Sequence, residues 1–384
     1  MARPVLLIYE RVPKTQPPPP ATPAAAETQE PIIISESPSP SPALKKNSKE
    51  TITFPSKSPP PELLDPQIII SCREAIEDLD KRKKNANKLK KKLTRDSIIN
   101  SLLSNLDILE KIRIKLNLPV FIFNNIKNNT LEKEGGQDII LETMNRLLLK
   151  NDNYLDDVAI NAGLNLIDNF ADKNKKNAAL FITFLTTKFY DQTKTYENYE
   201  NWSKKYGNLN TKDVVIFPFN LTNYHWLFIA VNFQDKKILY YDSAFTLDNN
   251  KVELVQTYLK NEEVKHEWIN SEKYRKGEFM RYTIEDTPTQ KQKDNFSCGE
   301  FVYRNIETLV FNLTTDPLDI NNMNYYYHLH ALELLEGSLM LERFITPVNI
   351  NIIQDEIITH LDRVYTKFRK TVDDFINAIP TIVE

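Results

Sequence analysis

The sequence predicts an α+β fold: a small central sheet, mixed or antiparallel, flanked by helices, with a helical N-terminal extension and a disordered proline-rich leader. Three observations carry this reading. Sixteen of the 22 prolines fall in residues 1–66. Residues 67–117 then place apolar side chains at three- and four-residue steps, the helical period. From about residue 146, helical periodicity alternates with short runs of β-branched and aromatic residues, the mark of strands.

The leader, with its PPPP, SPSPSP and SPPPE runs, cannot bury enough apolar surface to fold. It reads as an extended spacer, or as a docking peptide for SH3- or WW-type partners. Within 67–117 the dense charge run KRKKNANKLKKKLTR (81–95) reads as the solvated face of a long helix, with contact to an acidic surface as the alternative. DSIINSLLSNLDILEKI (96–112) reads as a core-facing helix, and Cys72, in ISCREAIEDL, as a structural cysteine.

YLDDVAINAGLNLIDNF (154–170) is amphipathic, with Asp156 and Asp157 in its first turn, where carboxylates suit the helix dipole. AALFITFLTTKFY (178–190) fits a buried helix or a strand. VVIFPF (214–219), HWLFIAVNF (225–233) and KKILYYDS (236–243) read as strands, the last two joined as a hairpin by a short polar turn. DNNKVELVQTYLKNE (248–262) is a capped helix; HEWI (266–269) and RYTIED (281–286) read as further strand material. GEFVYRNIETLVFNL (299–313) is a strongly apolar helix with Ser297 or Asn295 near its cap, and 328–345 and 352–379 add two more.

Composition narrows the chemistry. A net charge of −3 exerts no global pull on nucleic acid or anionic membrane. Two cysteines make no disulfide framework, which points to a reducing compartment, and five dispersed histidines make no zinc-type cluster. No metal or other cofactor is expected. The longest apolar stretch, AALFITFL, is far below the ~20 residues of a membrane span. The apolar run in MARPVLLIYERVP is too short and proline-flanked for a usual signal peptide, so a soluble protein is expected.

Cys298 stands in KQKDNFSCGEF (291–301) beside one of only seven glycines. A buried thiol, a metal ligand and a nucleophile are all open to it. Its place at a helix start favours the nucleophile, because unpaired N–H groups there stabilise a thiolate. A thiolate also needs an imidazole, and the imidazole a carboxylate that fixes its tautomer. His225 opens one strand of the expected hairpin and Asp242 closes the next, so antiparallel pairing brings these two ends together. Gly299 reads as leaving room for an acyl group.

The order His225-Trp226, Asp242, Gln292, Cys298-Gly299 resembles the Ulp1/sentrin-type cysteine proteases of the adenain-like clan, over residues 154 to about 345. The resemblance implies the Ulp1-like protease fold and cleavage of ubiquitin, SUMO or NEDD8 after a C-terminal Gly-Gly. It implies Cys298 as nucleophile, His225 as general base and later acid, Asp242 as its orienting carboxylate, and Gln292 as oxyanion donor with Gln290 as runner-up. Trp226 would roof a narrow passage for the diglycine. Tyr154 and Asp157, in YLDD, would meet the modifier, Asp157 near its basic tail.

Tyr154 replaces the family's usual tryptophan, Ser297 stands where an aspartate commonly precedes the cysteine, and Asn295 is one position from the customary asparagine. These departures imply a divergent member, of bacterial-effector or viral type, acting in the cytoplasm or in a host cytosol or nucleus. The domains expected are a leader over 1–66, a Lys-rich helical accessory region over 67–145, the protease domain over 146–345 and a helical extension over 346–384. An acetyltransferase effector on the same scaffold and a viral-type polyprotein protease are the alternative readings.

Overall fold

β2 (Val214–Leu221), β3 (His225–Asn232) and β4 (Lys237–Tyr241) form an antiparallel meander at the centre of the sheet. β1 (Ala178–Leu180) joins the edge of β2 in parallel, and β5 (Thr283–Asp286) joins β4 in parallel. The result is a mixed five-stranded sheet in chain order. This computed structural model describes residues 65–89, 92–121, 141–149, 154–190, 195–221, 225–271, 274–313 and 318–379; the proline-rich leader lies outside them.

The strands read as near-continuous apolar runs because both faces of the sheet are covered. Side chains alternate between faces. Ile216, Trp226, Phe228 and Ala230 enter one core, while Val215, Phe217, Leu227, Ile229 and Val231 enter the other. α4 (Asp157–Lys173) and α7 (Cys298–Phe311) contribute to the first core, and α6 (Asn249–Lys265) to the second. α5 (Thr183–Phe189) lies against β2, and α7 lies against β3.

α1 (Pro66–Leu89), α2 (Arg95–Lys115), α3 (Leu141–Leu148), α8 (Met323–Glu336), α9 (Leu341–Ile345) and α10 (Ile350–Ala378) extend the first core away from the sheet. The charge run at 81–95 takes part in this packing. Arg95 forms a two-pronged ion pair with Asp355 of α10, at 2.7 and 2.9 Å, and Lys83 lies over the ring of Tyr365. Cys72 is buried in the apolar seam, where desolvation pushes its thiol up.

Several sequence expectations change here. HEWI is not a strand: His266 and Glu267 close α6, the Trp268 N–H donates to the Glu263 carbonyl, and the indole packs on Phe233. The 178–190 stretch divides into β1 and α5, because Asn161 accepts the Thr183 N–H at 2.9 Å and starts a helix there. The 328–345 helix begins earlier, at Met323, and stops at Gly337, whose φ of +64° suits glycine.

α7 is fastened to α8 by charge. Arg304, with no exposed surface, donates to Glu300 at 2.9 Å and to Glu307 at 2.7 Å, and pairs with Glu333 of α8 at 3.0 Å. His330 of α8 pairs with Glu300 at 2.8 Å and stacks on Tyr303. Burial outweighs the pull of Arg304 on Glu307 and raises that carboxyl. Removing the guanidinium would strand buried carboxylates. Arg304→Ala is therefore expected to lower unfolding free energy by about 3–5 kcal/mol, measured by urea denaturation of the full chain.

Candidate active site

The pairing of β3 with β4 sets Phe228 opposite Tyr241. Continued one step, that register puts Asp242 level with Leu227, two residues along from His225. The His225 Nε2–H donates to Asp242 Oδ1 at 2.8 Å. The same oxygen accepts the backbone N–H groups of Ala244 at 2.8 Å and Phe245 at 2.9 Å. Burial would raise the Asp242 carboxyl, but the donors from His225, Phe245 and Ala244 hold it below the usual carboxylate range.

Burial works the other way on His225, disfavouring its charge. The hydrogen bond to Asp242 and the neighbouring Cys298 outweigh it and raise the imidazole to about 9. With Nε2 committed to Asp242, Nδ1 is the ring nitrogen left for the thiol. All three groups are withdrawn from water: Cys298 is 0% exposed, Asp242 2% and His225 3%.

Cys298 is the first residue of α7. Ser297 holds the cap position of this helix, as expected, but its side chain makes no capping hydrogen bond. Asp294 organises the turn that leads into the helix: its Oδ1 accepts the N–H groups of Phe296 at 3.0 Å and Ser297 at 2.8 Å, and its Oδ2 accepts the Ser297 hydroxyl at 2.6 Å. Asn295 is exposed. A carboxylate accepting N–H groups two and three residues on is an Asx-type turn, so the pattern D-N-F-S carried a signal that was missed.

The loop after β4 is stitched to the loop before α7. The Gln292 N–H donates to the Ser243 carbonyl at 2.9 Å, and the Ser243 hydroxyl donates to Gln292 Oε1 at 2.7 Å. Lys291 Nζ donates to the carbonyls of Asp242 at 2.9 Å and Phe245 at 2.8 Å. Gln292 Nε2 donates one hydrogen to the Asp294 carbonyl at 2.8 Å, which leaves its second N–H unspent. Gln290 has a buried Oε1 with no hydrogen-bond partner. Ser243 and Lys291 were invisible as site residues, since nothing local distinguishes them from surface polar groups.

Trp226 is buried, and its indole N–H donates to the Leu155 carbonyl at 2.6 Å. Leu155 thus links β3 to the start of α4, where Asp156 accepts the Ala159 N–H and pairs with Arg146 at 2.7 Å. Tyr154, beside it, is 36% exposed, and Asp157 Oδ1 is buried without a hydrogen-bond partner. Among the described residues, no group of three or more histidine, cysteine, aspartate or glutamate side chains is placed to hold a metal ion, and no helix is long and apolar enough to cross a membrane.

Residues 153–335 match the Ulp1 protease family, C-terminal catalytic domain. This stretch of the chain belongs to the Ulp1 family of cysteine proteases. Sentrin-specific protease 3 of Mus musculus is 29% identical to this chain over 123 residues, 32% of this chain and 20% of the relative. A sentrin-specific protease of Caenorhabditis elegans is 25% identical over 190 residues, 49% of this chain and 26% of the relative. The chain thus spans a fifth to a quarter of the length of these curated relatives. A solved structure of "SUMO protease Ulp1 with the catalytic cysteine oxidized to a sulfinic acid" aligns with TM-score 0.41 and 19% identity, covering 56% of this chain and 100% of that one.

Gly299 has a different reason from the acyl space first read into it. A Cβ there would meet Leu155 Cβ at 2.9 Å and Ile160 Cδ1 at 3.2 Å, so glycine lets the head of α7 seat against the start of α4. Gly299→Ala should cost about 1–3 kcal/mol of stability, read as a lower denaturation midpoint. Leu155→Ala in the same chain should return part of the loss.

Proposed function

We propose that this Ulp1-family chain is a thiol hydrolase that cuts ubiquitin-like modifiers from their conjugates after a C-terminal Gly-Gly. The observation that carries the reading is the His225 Nε2–Asp242 Oδ1 contact of 2.8 Å, with Cys298 beside the same imidazole at the head of α7. The names of the sentrin-specific relatives make SUMO the first modifier to test, ahead of ubiquitin and NEDD8.

The reaction follows from the charges. His225, raised to about 9, holds the proton of the pair at neutral pH, beside the Cys298 sulfur. The sulfur attacks the glycine carbonyl carbon, and the C–S bond forms as the carbonyl oxygen takes up negative charge. The free N–H of Gln292 and the Cys298 backbone N–H serve as donors to that oxygen, a role worth ~10²–10³ in rate per donor. The C–N bond then breaks while His225 gives its proton to the leaving amine. Water next attacks the thioester, passing a proton to His225; the C–S bond breaks and a carboxylate leaves.

Asp242 holds the imidazole by Nε2 throughout, so that Nδ1 faces the chemistry. A sulfur with no exposed surface admits only a thin chain, and glycine is the thinnest residue. Trp226 would wall that approach, Tyr154 would offer an aromatic surface at its rim, and the unsatisfied Asp157 oxygen would accept a donor from the modifier.

Two measurements test the reading. Modifiers carrying C-terminal electrophiles are expected to label the wild-type chain covalently, with labelling by at least one of SUMO, ubiquitin and NEDD8 lost in Cys298→Ala. Labelling at Cys72, or none with any of the three, sinks the reading. The second is pH dependence. A histidine raised by its partner keeps its proton through neutrality and loses it near 9, so kcat/KM should decline above about 9. Asp242→Asn should shift that alkaline limb toward the ordinary imidazole value near ~6.5 and reduce turnover by orders of magnitude.

A further inference from the structure

We propose that Phe245 is a specificity-determining residue that receives the aliphatic stem of the leaving lysine, so that this site favours isopeptide bonds over linear ones. The inference rests on the hydrolase reading above and adds the side of the substrate that the modifier does not supply. Phe245 is a large apolar side chain left 55% exposed directly beside a buried reacting centre. Its ring meets the His225 ring edge-on, with centroids 4.9 Å apart.

Its backbone is fixed at both ends. The Phe245 N–H donates to Asp242 Oδ1 at 2.9 Å, and its carbonyl accepts Lys291 Nζ at 2.8 Å. The ring is therefore held in place at some cost in apolar exposure, and the Asp242 anchor needs only the backbone of residue 245. Position 244, next to it on the same loop, is an exposed alanine that leaves the ring uncovered.

The geometry of proton delivery assigns the ring its side. His225 must come within hydrogen-bond reach, ~3 Å, of the leaving nitrogen. Whatever is attached to that nitrogen must then run past the imidazole. The acyl half of the substrate enters toward a sulfur with no exposed surface, whereas the leaving half is carried by a folded protein and stays outside. Phe245 is, among the described residues, an exposed apolar surface in contact with the imidazole. A lysine stem offers four methylene groups to it; a glycine leaving group offers none.

The test compares two substrates built on whichever of SUMO, ubiquitin and NEDD8 labels Cys298. In one, the modifier is joined to a peptide through a lysine Nε; in the other, it is extended by glycine through an ordinary peptide bond. Phe245→Ala is expected to lower the ratio of kcat/KM for the lysine-linked substrate to that for the glycine-extended one roughly tenfold, about the worth of two methylene groups taken out of water. Phe245→Leu should restore most of that ratio. An equal fall on both substrates would overturn the inference, reducing the ring to a brace for His225, and so would an unchanged ratio. Labelling of Cys298 by the probes separates these failures from failure of the hydrolase reading, which takes this inference down with it.

Discussion

The antiparallel pairing of β3 with β4 is the constraint on which the site depends. It needs no long-range information: a tight turn returns the chain to its start, and strand ends 17 residues apart in sequence come within one hydrogen bond. That bond commits Nε2 of the ring, so the tautomer and the direction in which His225 faces are decided together. The backbone N–H groups of Ala244 and Phe245, aimed at the same Asp242 oxygen, hold the carboxylate against its own desolvation. Protonation below the depressed Asp242 value, or loss of the proton from the raised His225, would each dissolve the pair, which leaves the neutral range between them.

The sulfur arrives by a separate route. α7 packs on β3 and carries Cys298 at its first position, but a helix end is only as well placed as its supports. Here there are three. Asp294 organises the turn that leads into the helix, Gly299 allows close contact with Leu155, and the Arg304 cluster pins the helix body to α8. Leu155 belongs to both sides of this arrangement, its side chain under the cysteine helix and its carbonyl on the Trp226 indole. The strand bearing His225 and the helix bearing Cys298 therefore refer to a common point.

How much of this was legible in the sequence follows from the range of each interaction. The central strands, the hairpin and the His225–Asp242 meeting were readable because period-two patterning and a short turn determine them. The helix at Cys298 was readable from its apolar period, and Ser297 does stand at its cap; only the folded turn reveals that Asp294 claims the N–H groups of Phe296 and Ser297 ahead of it. HEWI misled because a buried aromatic after a helix looks like strand material when the helix end is not seen. Gly299, Ser243 and Lys291 were beyond reach, since each is defined by a neighbour distant in the chain: Leu155, Gln292 and the Asp242 loop.

The charged knot beneath α7 has a consequence for how this scaffold can be altered. Glu300, Arg304, Glu307, His330 and Glu333 are paired through Arg304 and Glu300 out of contact with solvent, so changing either of those two alone leaves buried partners stranded. Exchanging the whole set together for apolar side chains of matching volume carries no such penalty, since buried ion clusters commonly yield to well-packed hydrocarbon without loss. Descent by single steps is barred at those two positions, while wholesale redesign of the set is open.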